Sequence, residues 1–393
     1  MGRRCAKASG TLEKDAPVKQ GLVIDVSSVP PRPAGAGRYA IELVSNLATM
    51  ARGFELVAKA DDALHWRDIS SANVALRSPN SAPLRIAWER LVLGRRLNLR
   101  GQGVYHGIHY AIPSSYRGTK ISTVHDLTMI EHPEWHEQVK VVHFSRAIRM
   151  AVEIADAIIV PSEFTKSRLE AQFGRLDKVS VIYHGVDHAK FRPESASHKS
   201  NGSNERRWLQ GARVILHVGT IEPRKNLVNL VKAFDILAGE DHDAILVLAG
   251  QKGWKHEEVY KSVNSAKYRD RIHEIGYISE CELLELMRQA SCIAYPSFAE
   301  GFGLPVLEAM AAGVPVVTSA GSVMEEVAGG CAWLCDALDP SDIAEKLNLA
   351  ISGSHEVESK VAQGVLRSQE FNWSDSARKH LKVYQALGFE YEG

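Results

Sequence analysis

Glu300 and Glu308 bracket the run Gly301-Phe302-Gly303-Leu304-Pro305-Val306-Leu307. The glycines predict a turn that feeds a helix opening at Pro305. Proline suits the first helical position, where a missing N–H removes no intrahelical bond. The backbone N–H groups of Phe302, Gly303 and Leu304 then project from a helix N-terminus, an end that attracts phosphate and oxygen-rich groups. Glu300 precedes the turn and Glu308 lies about one turn into the helix, so both carboxylates can face one ligand. Carboxylates accept from hydroxyls while the N–H groups bind phosphate, and a nucleotide sugar carries both. The same residues also fit a plain helix start whose acids complement the dipole.

Three further signals fall at predicted strand ends. Gly219-Thr220-Ile221-Glu222-Pro223-Arg224-Lys225-Asn226 places two adjacent cations between a strand and a helix. Arg224 offers a planar fork and Lys225 a point charge, a pair suited to a diphosphate. Thr123-Val124-His125-Asp126 brings an imidazole to a strand end, where it can meet a sugar hydroxyl or offer its carbonyl to developing positive charge. Asp126 can orient His125, or the roles can be reversed. Ala34-Gly35-Ala36-Gly37-Arg38-Tyr39 is a glycine loop that lets backbone approach a ligand. It lacks the third glycine of a dinucleotide fingerprint, which argues against a dehydrogenase. Asp187 in Tyr183-His184-Gly185-Val186-Asp187 reads as turn chemistry, and Ser162 as a helix N-cap.

The elements that must hold these residues alternate. Strands are predicted at Gly21–Val26, Phe54–Ala58, Val104–Gly107, Ile121–Val124, Ala157–Val160 and Lys178–Tyr183. Helices are predicted at Arg38–Met50, Val141–Ile154 and Glu163–Phe173. Pro193–Gly211 is polar and aperiodic and reads as a linker. Strands then resume at Arg213–Val218, Ala244–Leu248, Ile272–Gly276, Cys292–Tyr295, Val314–Thr318 and Ala332–Cys335. Alternating strands and helices on each side of a linker predict two doubly wound α/β domains facing a cleft. The expected division is a leader over 1–19, an N-terminal domain over 20–192, a linker over 193–211 and a C-terminal domain over 212–371. A last helix over 372–393 follows.

Bulk properties narrow the partners. The 393 residues include 47 Lys+Arg and 47 Asp+Glu, so the formal charge is zero and no global field favours nucleic acid. Five cysteines form no disulfide or metal pattern and suit a reducing cytosol. The N-terminus is basic without an apolar stretch behind it, unlike a signal peptide. No apolar run approaches the ~20 residues of a membrane span. Pro83–Leu99 interleaves Ile86, Trp88, Leu91 and Leu93 with Arg85, Arg90, Arg95 and Arg96. That pattern fits a basic amphipathic surface for anionic lipid at the inner face of the membrane, or a core helix with a solvated face.

Together the motifs resemble the retaining GT-B nucleotide-sugar glycosyltransferases, in the group that holds bacterial mannosyltransferases and the sucrose- and glycogen-type synthases. The resemblance covers nearly the whole chain and includes Phe371-Asn372-Trp373-Ser374, which looks like the start of the family's closing helix crossing back to the N-terminal domain. It implies donor binding by Gly37, Gly219, Arg224, Lys225, the backbone N–H groups of Phe302, Gly303 and Leu304, and Glu308, the last accepting from ribose hydroxyls. Catalytic roles are implied for His125 and for Glu300, which would hold hydroxyls of the donor sugar. It also implies transfer without a metal or cofactor. GDP-mannose is the preferred donor and a glycan or lipid-linked hydroxyl the acceptor. Members often have adjacent glycines in the first loop, where this chain has Ala34 and Ala36. An epimerase of the same fold and a non-catalytic sugar-nucleotide-binding protein are the alternatives.

Overall fold

The computed structural model describes residues 21–30, 33, 35–101, 103–193 and 211–391. The expected leader over 1–19 lies outside these, as do Ala34 and all of the expected linker except Pro193 and Gly211.

Two parallel sheets carry the chain. Among the described residues the first contains β1 (Leu22–Asp25), β2 (Phe54–Lys59), β3 (Asn73–Ser78), β4 (Val104–Gly107), β5 (Thr119–Thr123), β6 (Ala157–Val160) and β7 (Val179–Val181). Their order is β3-β2-β1-β4-β5-β6-β7. The second contains β8 (Arg213–Val218), β9 (Ala244–Ala249), β10 (Ile272–Gly276), β11 (Ala290–Tyr295), β12 (Val316–Ser319) and β13 (Trp333–Cys335), in the order β10-β9-β8-β11-β12-β13. Helices cover both faces, so β9 can be an unbroken apolar run; all six residues of Ala244–Ala249 are buried.

Strand order reverses between β1 and β4, and again between β8 and β11. In a doubly wound sheet the crevice for ligands lies outside the carboxyl ends of the strands at such a reversal. The loops after β8 and β11 carry Gly219–Lys225 and Pro296–Glu300, so both basic and acidic motifs fall at one crevice.

Sequence patterning missed β3. It is an edge strand whose residues alternate between exposed and buried, and it begins with Asn73 and carries Arg77, so it never forms an apolar run. At β7 the ordered strand covers only Val179–Val181 of the expected Lys178–Tyr183.

The final helix, Trp373–Ala386, packs against the helix Ala36–Met50 of the first domain. Where the chain returns, Val186 N–H donates to the Phe371 carbonyl at 3.3 Å. A Cβ at Gly185 would lie 2.2 Å from Trp373 N, so only glycine lets the two backbones pass this closely. Among the described residues no helix is long and apolar enough to cross a membrane.

Candidate active site

The loops after β8 and β11 build one compact ion-pair cluster. Lys225 Nζ donates to Glu300 Oε1 and to Tyr295 Oη, both at 2.6 Å. Arg224 Nη1 donates to Glu300 Oε2 at 2.6 Å and to the Ala299 carbonyl at 2.8 Å. Arg224 Nη2 reaches Glu222 Oε1 at 2.7 Å. Burial alone would push the Glu300 carboxyl up; the Arg224 and Lys225 charges outweigh it and hold the group at about 2. Glu300 is therefore a carboxylate throughout the physiological range.

The local fold explains this convergence. Pro223–Lys225 form one tight 3-10 turn, and Asn226 takes a left-handed conformation (φ 58°) before the helix Leu227–Glu240. Asn226 Nδ2 holds that conformation by donating to the Pro296 and Ala337 carbonyls at 2.9 and 2.6 Å. Phe298 N–H donates to the Arg224 carbonyl at 2.9 Å, so the two loops form one unit. Gly219 leads into this turn, with Gly250 packed so closely that a Cβ on Gly250 would meet the Gly219 oxygen at 1.8 Å. Beneath it the His217 ring stacks on Tyr295 at 5.5 Å.

The glycine turn of the opening motif behaves as its composition demands. Gly303 has φ 93° and caps the helix Leu304–Ala311, leaving Pro305 one residue inside its start rather than at it. Pro305 carries no N–H, and the Val306 and Leu307 N–H groups donate to the Gly303 carbonyl at 3.0 and 3.3 Å, so the Leu304 N–H is the donor this helix start leaves without an intrahelical partner. The Phe302 side chain is buried against His184 and Phe371, with ring centroids 4.9 and 5.9 Å away, so only its backbone is offered to a ligand.

Glu308 lies on the inward face of the same helix and is 5% exposed. Its Oε1 accepts from Arg38 Nη1 at 2.6 Å, and Arg38 Nη2 pairs with Glu280. Burial, seconded by Glu280, outweighs Arg38 and raises the Glu308 carboxyl to about 7. Arg38 lies in the first turn of the helix Ala36–Met50 of the N-terminal domain, and the sequence motifs did not assign it a role. The available signal was its place directly after Gly37. The helix begins at Ala36, so Gly37 sits in its first turn rather than in the loop before it. A Cβ on Gly37 would lie 2.9 Å from Pro33 Cβ, whereas Gly35 takes the positive φ of 45°.

From the N-terminal domain His125, 7% exposed, abuts Gly301, the residue after Glu300. Its Nε2–H donates to the Ile108 carbonyl at 2.8 Å, which leaves Nδ1 as the acceptor of a neutral ring. Burial pushes this imidazole below its ordinary value. Asp126 does not orient it: its Oδ1 accepts from Thr128 N–H and O–H at 3.0 and 2.8 Å. The His125 carbonyl accepts from Thr165 Oγ1 at 3.4 Å and abuts Gly301, where a Cβ would lie 2.4 Å from it. The ring, not the carbonyl, is thus the part left for a ligand. The structure brings His125, Arg224, Lys225, Glu300 and the turn at Gly303 to one crevice. Glu308 is held on another side, against Arg38.

Two doubly wound domains meeting at such a crevice define the GT-B class. Residues 199–364 match the family described as Glycosyl transferases group 1, and residues 33–190 match Glycosyltransferase Family 4. The chain is 27% identical over 368 residues to O-antigen chain mannosyltransferase B of Escherichia coli, covering 90% of this chain and 96% of that protein. It is 25% identical to the glycogen synthase of Mycobacterium tuberculosis over 280 residues, 70% of this chain and 65% of that one. Among solved structures, HepE of Anabaena in complex with UDP-glucose superposes with a TM-score of 0.76 at 18% identity, covering 93% of this chain and 99% of that chain. Sucrose-phosphate synthase of Thermosynechococcus elongatus gives 0.76 at 19%, covering 94% and 99%. The chain belongs to the group 1 glycosyltransferases and has the GT-B fold.

Proposed function

We propose that the chain moves mannose from GDP-mannose to a hydroxyl of a glycan or lipid-linked acceptor, with retention at the anomeric carbon and without a metal. The observation that carries this reading is the buried cluster of Arg224, Lys225 and Glu300 at the switch point of the second sheet, with His125 packed against the adjoining Gly301. The Escherichia coli relative, a mannosyltransferase by name, supports the choice of sugar.

The charges fit a diphosphate leaving group. Glu222, Arg224, Lys225 and Glu300 sum to zero, so the cluster is neutral until ligand arrives. The described bonds leave one N–H on Lys225, and the Nε–H and one Nη2–H on Arg224, for phosphate oxygens. With the N-terminus at Gly303 they supply the field that neutralises charge developing on the leaving oxygen. As the anomeric C–O bond to phosphate breaks, the acceptor oxygen bonds the same face of the sugar. Its proton passes to the departing phosphate oxygen. Glu300 accepts from sugar hydroxyls, His125 Nδ1 accepts from another, and Glu308 Oε2 takes the ribose hydroxyls while Oε1 stays on Arg38.

An exposed face of the N-terminal domain supports an acceptor met at the membrane's inner face. Leu84, Leu91, Leu99, Val139 and Val142 are exposed there. Arg90 reaches the His143 ring at 3.4 Å, setting the two segments side by side, with Arg95, Arg96 and Lys140 also facing solvent. Apolar side chains among cations suit anionic lipid.

A panel of nucleotide sugars tests the donor. GDP-mannose should raise the melting temperature most, by an amount equivalent to about 2.7 kcal/mol at a hundredfold excess over Kd. It should also be consumed in excess chelator and yield an α-linked product. Stabilisation by a different nucleotide sugar alone would reassign the donor, and loss of transfer in chelator would overturn the metal-free mechanism.

A further inference from the structure

A buried hydrogen-bond chain joins the crossing helix to the N-terminal side of the site, and one end sets its direction. The Ser376 carbonyl can only accept, so His380 Nδ1 carries the proton and donates to it at 2.8 Å. In the neutral ring Nε2 then accepts, and Tyr39 O–H donates to it at 2.8 Å. With that proton committed, the Tyr39 oxygen accepts from Thr123 O–H at 3.0 Å. Thr123 Oγ1 accepts from His106 Nε2–H at 2.8 Å, and His106 Nδ1 accepts from Tyr384 O–H at 2.8 Å. Tyr39, His106, His380 and Tyr384 are fully buried and Thr123 is 1% exposed. Burial holds His380 at about 4 and His106 well below its ordinary value, which keeps both rings neutral and the direction unique.

The chain spans four elements: the helix Ala36–Met50, β4 with His106, β5 and the crossing helix. Thr123 ends β5, two residues before His125. Tyr39 follows Arg38, and its ring stands edge-on to His125 at 5.2 Å and stacks on His184 at 4.7 Å. His380 and Tyr384 belong to the crossing helix, which enters directly from the C-terminal domain at Phe371–Trp373. A buried polar network with every link satisfied rigidifies the groups it joins, whereas removing one hydroxyl leaves a desolvated partner unmet.

We infer that Tyr39, Thr123, His106, His380 and Tyr384 are positioning residues through which the crossing helix sets His125 and Arg38 against the donor half of the site. This rests on the donor-site reading above, and two separate measurements distinguish a failure of one from a failure of the other. The first needs no substrate. In histidine labelled with ¹⁵N, His106 should appear as the Nε2–H tautomer and His380 as the Nδ1–H tautomer at neutral pH, and Tyr384→Phe should shift the His106 Nδ1 resonance. A reversed tautomer at either ring overturns the chain.

The second is kinetic and uses whichever nucleotide sugar the wild type turns over, GDP-mannose being expected. In Thr123→Val and Tyr39→Phe, which keep shape and lose the hydroxyl, kcat per folded molecule should fall about tenfold while donor KM stays within about twofold. Thr123→Ser should restore kcat. A merely structural role would lower the melting temperature and leave kcat per folded molecule unchanged. That result, or a Thr123→Ser variant as slow as Thr123→Val, overturns the proposal.

Discussion

At the scale of single residues, the charge balance of the cluster makes opposite demands on its members. Lys225 holds both Glu300 and Tyr295, so Lys225→Ala should lower affinity for GDP and cut kcat by two orders of magnitude or more. Glu300→Ala should behave differently. It releases two cations from a carboxylate held at about 2, so GDP binding measured by calorimetry should stay or tighten while transfer falls about a hundredfold. Equal losses of GDP affinity in both variants would refute the division of roles. Glu308 adds a pH dependence. Its carboxyl is raised to about 7, and only the ionised form accepts freely from ribose. Donor KM should therefore fall as pH rises from 6 to 8, and Glu308→Gln should flatten that profile. For stability the sign is reversed. The buried site favours the neutral acid, so this contribution is complete below the ordinary carboxyl value and is lost as pH rises through about 7.

At the scale of elements, three glycines act by their missing side chains. Gly303 supplies the positive φ that turns the chain into its helix, and Gly185 lets the start of the crossing helix at Asn372–Trp373 pass. Gly301 is the one that bears on catalysis, because a Cβ there would lie 2.4 Å from the His125 carbonyl oxygen, backbone against backbone across the two domains. Gly301→Ala must separate β5's loop from the acidic motif by roughly 1 Å, a displacement that costs about a hundredfold in rate. The expected result is a large fall in kcat with GDP affinity retained, since the Arg224–Lys225–Glu300 cluster lies wholly within the second domain. A variant with unchanged kcat would show that this approach does not set the reacting geometry.

At the scale of the whole molecule, the net charge is zero, so the proposed lipid contact rests on one face. The chain should bind vesicles containing anionic phosphatidylglycerol and not those of phosphatidylcholine alone, with binding falling steeply as salt rises. Arg90→Glu with Leu91→Ser should abolish that binding while leaving GDP affinity intact. Vesicle binding unchanged in the double variant would remove this surface from consideration. Domain contact is polar as well as apolar. Glu326 of the second domain accepts from the Glu163 and Phe164 N–H groups at 2.9 and 2.7 Å, placing a carboxylate at the N-terminus of the helix Glu163–Phe173. Trp254 Nε1 donates to the Trp135 carbonyl at 2.6 Å on the other side of the cleft.

Local chemistry was legible wherever a residue's role depends on its immediate neighbours. The alternation of apolar runs and helical patterns determined two doubly wound domains, strand-end placement singled out Arg224, Lys225 and His125, and the glycine turn before a helix singled out Glu300. Edge strand β3 escaped because a half-solvated strand carries charge where a central one cannot. What only the tertiary structure decided were partnerships across long separations. Arg38 meets Glu308 from 270 positions away, and Tyr39 meets His380 from 341. Neither pair leaves a periodic trace, because each side chain's partner is set by how the domains and the crossing helix dock. Pairing of β4 with β5 within the first sheet assigned the His125 ring to Ile108 rather than Asp126, a choice between two nearby acceptors that spacing alone leaves open.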